Sequence, residues 1–320
     1  MTKPTLRPAT IADAALAADL MTAAYPRFPM DPVVNRYRWE HPRAGWSHDH
    51  YIAELEGRPI AYVDWTHGPR EQDPERYCEV GVSLDRVYTD PELLSFLCGW
   101  VTDEAAKSGS LILEAYAAED EPELLEALTR TGYERDRFEK VWELDLTAQG
   151  SRLRAEAVEA RAAAANDGYE MTTVAAWQSP DKFSALLGLD DVTRGDIPTT
   201  FPILAETFEN FMERSSSPDR RHDRWWVVVR DDQPVAVSYL RYPPVRGYVW
   251  TGYTCTHPDH RGRGLARAVK LQSLAQAVEL GVPVVYTDND SENAPMLRIN
   301  ERLGYVQRPG FVSLLNRVQK

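Results

Sequence analysis

The chain has 320 residues, 43% hydrophobic and 27% charged, the balance of an ordinary globular protein and a length that favours two domains over one. Its net charge of −13 sits in one half: residues 1–150 hold 15 Lys and Arg against 28 Asp and Glu, whereas residues 151–320 hold 21 of each. That distribution argues against a generic nucleic-acid surface, and no apolar run reaches the roughly 18 residues of a membrane span.

In chain order, the start "MTKPTLRPAT" lacks a signal peptide's apolar core. Its extended part, "TLRPAT", leads into the helical pattern "IADAALAADLMTAAY". "HYIAELEGRPIAYVDWTHG" then reads as two strands turning at Glu56-Gly57-Arg58. "YCEVGVSL" and "SLILEAY" are a fourth and a fifth strand. A helix closing at Gly132-Tyr133 and a last strand, "FEKVWELDL", complete this half.

The order then repeats. After an Ala/Glu/Arg-rich connecting helix expected at about 151–165 come extended "YEMTTVAAW", a helical stretch from Asp181 to Glu213, and the hairpin "RWWVVVRDDQPVAVSYLRY" turning at Asp231-Asp232-Gln233. "YVWTGYTCT" and "VPVVYTDN" are again fourth and fifth strands, a helix closes at Gly304-Tyr305, and "FVSLLNRV" ends the pattern. One mixed α/β unit is used twice, with the boundary near residue 150: residues 1–150 and 151–320.

Between the second fourth strand and the helix expected from Gly264 to Leu280 lies "THPDHRGRGLARA". Gly262 and Gly264 expose backbone N–H groups at a helix N-terminus, a site suited to an anion such as a pyrophosphate. Arg261 and Arg263 add charge-assisted bonds. Neither G-x-x-x-x-G-K-[ST] nor G-x-G-x-x-G is met.

The pattern that is met, Arg261-x-x-Gly264-x-Ala266 after a strand, resembles the GNAT superfamily of acyl-CoA-dependent N-acyltransferases. "TDNDSENAPMLRINERLGYV" resembles that family's second signature, with Asn293 at a helix start and Gly304 eleven residues on. The resemblance implies two GNAT-like mixed α/β units in tandem, each a central mixed sheet flanked by helices. It implies acetyl-CoA as co-substrate, bound by Thr254, Cys255, Thr256, Arg261, Gly262, Arg263, Gly264, Leu265, Ala266, Asn289 and Asn293. The first half looks like a degenerate copy. After its fourth strand "DRVYTDPELLSF" puts Thr89 and Pro91 where glycine and a small residue belong, and five acids stand between Glu119 and Glu126. It is read as a scaffold and one wall of the substrate site.

The reaction implied is direct attack of a small-molecule amine on the thioester, with an oxyanion donor near Thr254–Thr256. Where family members often carry a tyrosine acid, seven residues after the asparagine, this chain has Asn300; Tyr253, Tyr286, Tyr305 or water could replace it. The strand "YVWTGYTCT" holds no base, and Glu209, sharing a helical face with Glu206 and Glu213, is the candidate. Cys255 reads as a packed strand cysteine rather than a nucleophile. Cys78, Cys98 and Cys255 form no C-x-x-C pair and His257/His260 lack a third ligand, so neither disulfides nor a metal is expected. A cytoplasmic enzyme without nucleic-acid or membrane partners follows, its oligomeric state open. A longer-acyl-CoA transferase and a non-catalytic acyl-CoA sensor are the alternatives.

Overall fold

The computed structural model describes residues 3–88 and 90–318. The first unit runs β1 (Thr5–Pro8), α1 (Ala14–Ala24), α2 (Pro32–Glu40), β2 (Ser47–Leu55), β3 (Arg58–His67), β4 (Tyr77–Leu84), α3 (Pro91–Lys107), β5 (Ile112–Ala118), α4 (Pro122–Arg130) and β6 (Glu134–Asp145). After the connecting helix α5 (Leu146–Asn166) the second repeats it: β7 (Glu170–Thr173), α6 (Lys182–Arg194), α7 (Phe208–Ser215), β8 (Arg220–Arg230), β9 (Gln233–Arg241), β10 (Val249–Thr256), α8 (Leu265–Glu279), β11 (Val284–Asp290), α9 (Ala294–Leu303) and β12 (Val306–Arg317). The internal repeat is present element for element.

Both hairpins turn where expected. Glu56 and Gly57 take φ of 51° and 75°, and Asp231 and Asp232 take 51° and 57°, the left-handed pair that joins twisted antiparallel strands. Asp232 is held in this conformation for a non-glycine residue by bonds from Trp177 Nε1 and Ser179 Oγ to its carboxylate. The helix expected from Asp181 to Glu213 is instead two helices. Residues 195–207 between them carry Pro198 and Pro202, whose missing N–H groups and fixed φ oppose a continuous helix. Glu206 therefore precedes α7 and is buried, Phe208 is 48% exposed, and Glu206, Glu209 and Glu213 do not share one helical face opposite apolar residues.

All twelve strands form one sheet in the order β1-β2-β3-β4-β5-β12-β6-β11-β10-β9-β8-β7. Each unit's last strand has crossed into the other's sheet. β12 pairs antiparallel with β5, from Phe311↔Ala118 to Arg317↔Ile112, while β6 pairs antiparallel with β11, from Val284↔Asp145 to Asp290↔Glu139. β6 and β12 also pair with each other and form the seam. Alternation along β6 then divides the two faces. Trp142 and Leu144 pack with Leu153 and Ala157 of α5 and with Leu271 and Leu274 of α8, so Glu139, Val141 and Glu143 point to the opposite face.

Helix α8 lies between the sheet and α5. Ala268, Leu271 and Ala275 are buried as the helical pattern predicts, but so are Val269 and Ser273 against the sheet, Gln272 against Ala157 of α5 and Lys270 against Asn300 of α9, so that no broad side is left to water. The approach is close: a Cβ on Gly150 of α5 would come within 2.8 Å of Val278 Cγ1. No helix among the described residues is long and apolar enough to cross a membrane.

Candidate functional site

β10 and β11 are hydrogen-bonded as parallel neighbours only at Val249↔Val285 and Trp250↔Tyr286. Beyond that point β10 continues to Thr256 and β11 to Asp290 without pairing, so the sheet splits. The split begins at a bulge: the register between β10 and β9 shifts between Thr251 and Tyr253, leaving Gly252 as the extra residue. Only glycine fits there, since a Cβ on Gly252 would lie 2.0 Å from Tyr239 Cε2.

Antiparallel partners alternate between bonded and non-bonded pairs. The His257 N–H donates to Val235 O at 2.8 Å; stepping back by twos along the register places Cys255 and Tyr253 on the bonded side. The backbone groups of Thr254 and Thr256 therefore face the split. In agreement, Thr256 O turns away from β9 and accepts from Arg261 Nε at 3.1 Å.

At the mouth of the split the chain makes a short 3₁₀ turn (Pro258–His260) and enters α8. Gly262 and Gly264 have φ of 75° and 76°, and a Cβ on either would point into open space. Their role is thus backbone conformation and open approach rather than tight packing. Gly264 is the N-cap and supplies no side-chain bond, so the first-turn N–H groups of Leu265 and Ala266 keep their hydrogen-bonding capacity. The two arginines differ. Arg261 is paired with Asp196, whereas Arg263 makes no ion pair among the described residues and is exposed. His260 Nδ1 lies 3.0 Å from Tyr169 OH, and His257 Nδ1 accepts from the Asp259 N–H at 3.3 Å.

Behind the split is a buried polar chain that sequence reasoning missed. Lys270 Nζ donates to Asn300 Oδ1 at 2.8 Å, and Asn300 Nδ2 donates to Asn289 Oδ1 at 2.6 Å. Lys270 and Asn300 are both 0% exposed. Burial drives the Lys270 ammonium down to about 7, with Asp288 pulling it back up, and its Nζ stands 4.9 Å from the centre of the Tyr305 ring. The one signal for it was a lysine placed between Val269 and Leu271 on an otherwise apolar face. Asn293 caps α9, its Oδ1 accepting from the Met296 N–H at 3.4 Å.

The remaining predicted residues are scattered. Cys255 is buried, which pushes its thiol up to about 12, a packed strand cysteine as expected. Tyr253 points to the face opposite α8, where its hydroxyl lies 3.0 Å from Thr193 Oγ1, and burial raises its pKa. Glu209 lies exposed near the start of α7. It stands apart from the cavities described next.

On that same face two adjoining cavities open. One, of about 370 Å³, reaches Gly252 and Tyr253 at the bulge and holds an ion-pair network, in which the buried Glu206 receives Arg194 at 3.2 Å and Arg214 at 2.6 Å. The other, of about 400 Å³, lies between the two units and is lined from the first by Arg38, His50, Asp64 and Glu79. Burial pushes Asp64 up to about 7, helped by the charge of Glu79, and holds His50 down at about 4. The first unit is thus a wall of this space.

The first unit keeps the split but not the cradle. β4 and β5 pair only from Tyr77↔Ile112 to Val80↔Ala115. There, however, the N-terminus of α3 is capped by its own carboxylate, Asp90 accepting from the Glu92 N–H at 3.0 Å, with Pro91 at its first position. Arg86 is turned aside to Ala24 O at 2.6 Å and Glu121 at 3.7 Å. Thr89 lies outside the described residues.

Comparison with known proteins agrees with this geometry. Residues 196–305 match the Acetyltransferase (GNAT) family. The L-amino acid N-acyltransferase MnaT of Escherichia coli (strain K12) is 27% identical over 85 residues, which is 25% of this chain; the match spans about half, 49%, of that relative. A tandem GNAT protein from the clavulanic acid biosynthesis pathway superposes with a TM-score of 0.76 at 16% identity, covering 99% of each chain. A GCN5-related N-acetyltransferase from Sphaerobacter thermophilus gives a TM-score of 0.68 at 17% identity, over 99% of this chain and 96% of that one. The family match is thus carried by residues 196–305 of the second half, and the chain as a whole shares its fold with a tandem GNAT protein.

Proposed function

We propose that the protein is an N-acyltransferase that moves an acyl group, acetyl in the simplest case, from acyl-CoA to the amine of a small molecule. The observation that carries this reading is the continuity of one feature. The β10/β11 split, with Thr254 and Thr256 backbone facing into it, runs directly to an uncapped helix N-terminus after Gly262 and Gly264.

The fit to acyl-CoA can be judged residue by residue. The open space beyond Gly262 and Gly264 admits a pyrophosphate to the first-turn N–H groups of α8, and Arg263 is available to it. Thr254 and Thr256 offer backbone donors and acceptors to an extended amide-bearing arm, Asn293 meets it from the start of α9 in this reading, and Asn289, whose Oδ1 already accepts from Asn300, has its amide nitrogen left for it. Acyl-CoA supplies the thioester carbon that the amine attacks. A backbone N–H at the split offers a hydrogen bond to the carbonyl oxygen as negative charge grows there. The N–C bond forms, the C–S bond breaks, the sulfur leaves as thiolate and the amine proton passes to solvent. Asn300 holds no dissociable proton, and a thiolate departs near neutral pH without an acid.

The two units divide the work in this reading, residues 151–320 binding the donor and residues 1–150 walling the acceptor cavity. The test is release of free thiol from acetyl-CoA with a panel of amines, compared between the wild type and Gly264→Glu. Thiol release that needs both an amine and Gly264 supports it. Acetyl-CoA binding without turnover by any amine would mark the chain as a binding protein.

A further inference from the structure

The cavity between the units contains a charge arrangement that the acyltransferase reading leaves unused. Arg220 and Arg241 are direct cross-strand partners on β8 and β9, and like charges so placed destabilise a sheet. Both line the inner cavity and also the one that reaches Gly252 at the bulge. Arg38, from α2 of the first unit, projects into the same inner cavity. None of the three makes a salt bridge among the described residues, and Arg220 Nη1 and Arg241 Nε are buried without a hydrogen-bond partner.

Burial lowers the Arg38 guanidinium and Arg241 lowers it further. Arg220 is held at about 10 by burial, with Arg214 and Arg241 adding to the effect. The acids nearby do not neutralise this group. Asp219 is 5% exposed and accepts from Ser217 Oγ at 2.5 Å, and Glu213, also on the lining, accepts from Tyr37 OH at 3.3 Å; neither forms a salt bridge with the three arginines. Asp64 and Glu79, on the opposite wall, are themselves pushed up by burial, Asp64 to about 7, and neither forms a salt bridge with the three arginines. Three guanidiniums that line one cavity without a salt bridge among the described residues, two of them with a buried unpartnered nitrogen, suit one anion.

We propose that Arg38, Arg220 and Arg241 form a subsite for an anionic group, a carboxylate or phosphate, on the amine that is acylated. The planar forks of arginine suit both oxyanions. Because Arg220 and Arg241 border both cavities, a compact acceptor anchored by its anion points its amine toward Gly252, where the split begins. The first unit then contributes a specificity residue, Arg38, to a site whose donor half lies in the second. This substrate class rests on the acyltransferase reading, whereas the anion subsite does not.

The experiment has two parts. In the first, free thiol is followed with matched amines carrying a carboxylate, a phosphonate, a primary amide or hydrogen at the same carbon. It is run on the wild type, Arg220→Gln, Arg241→Gln and Arg38→Gln. An anionic acceptor should be preferred at least tenfold in kcat/KM, with the loss in each variant falling on that acceptor and not on its neutral counterpart. The carboxylate and phosphonate arms tell which oxyanion is recognised. In the second, sodium malonate is titrated at constant ionic strength while Tm is recorded. Malonate should stabilise the wild type and leave the Arg220→Gln/Arg241→Gln double variant unmoved, with acetyl-CoA affinity the same in both.

If no amine is acylated but malonate discriminates, the subsite stands and the transferase reading falls. Equal use of neutral and anionic amines by the wild type and every variant overturns the proposal, as does a malonate response that survives the double substitution. A residue kept only for structure would lower the Tm of the unliganded protein when replaced. Here relief of the Arg220–Arg241 repulsion should leave Tm unchanged or raise it.

Discussion

Lys270 and Asn300 meet at 2.8 Å in a space from which water is excluded, an ammonium bonded to a neutral amide rather than to a carboxylate. The consequence can be signed. Lys270 titrates near 7 in the folded chain, well below the usual lysine range, so between about 7 and 10.4 the unfolded chain binds more protons and stability rises with pH. Its contribution is complete above the unfolded pKa and lost as pH falls through the folded one. Replacing Lys270 by Met should flatten this rise, measured as denaturant midpoint across that window and compared with the wild type. An unchanged slope would show that Lys270 is not the group responsible.

The same bond predicts a coupling. Asn300→Ala should cost about 1–3 kcal/mol, since it strands a buried ammonium. In a Lys270→Met background the cost should shrink by more than half. Additive losses in the double-mutant cycle would mean that the two side chains act separately.

At the helix mouth, Gly264→Glu should abolish acetyl-CoA binding in calorimetry while the circular dichroism of the fold is kept, because its side chain enters open space yet brings a carboxylate to an anion cradle. Arg263→Ala should weaken binding by roughly 1–3 kcal/mol, less so at high salt. Arg261→Ala should cost less than Arg263→Ala, because Arg261 is already paired with Asp196.

Calorimetric titration with acetyl-CoA should saturate at one per chain. The repeated fold offers a second split, but there the Asp90 carboxylate already takes the Glu92 N–H at the start of α3 and would repel an anion. Arg86→Ala should leave affinity unchanged, and two equivalent sites would refute the scaffold role of the first unit.

Much of this was legible beforehand because it is local. The repeated strand order, the two hairpin turns and the strand–glycine–helix cradle each follow from residues adjacent in sequence, and Asn293 as a cap needed only its position before α9. What escaped required distant partners. Asp181–Glu213 looked helical by pattern, yet prolines 198 and 202 broke it and moved Glu206 into a network with Arg194 and Arg214. Arg38, Arg220 and Arg241 come from α2, β8 and β9 and are unremarkable singly; only the folded sheet sets them around one cavity. Lys270 sat in plain view, but Asn300 and Tyr305, which it meets, lie beyond another strand in the sequence. The exchange of β6 and β12 was invisible, since each strand carries the same apolar pattern whichever sheet receives it.

That exchange bears on the order in which the protein can be made. β5 is joined by β12 through pairs such as Glu114–Leu315, and Ser313 Oγ donates to Glu114 Oε1 at 2.5 Å across 199 positions. While residues up to 305 leave the ribosome, the first unit has no strand to cover Ile112–Ala118. Its buried residues Ile112, Leu113 and Ala115 stand along an unpaired edge, the kind of edge that recruits strands from other chains. Completion of the first half thus waits for residues 306–317, so nascent chains are exposed to mispairing from the synthesis of β5 until almost the last residues are made, and two neighbouring chains on one message could trade their last strands with each other instead of within themselves.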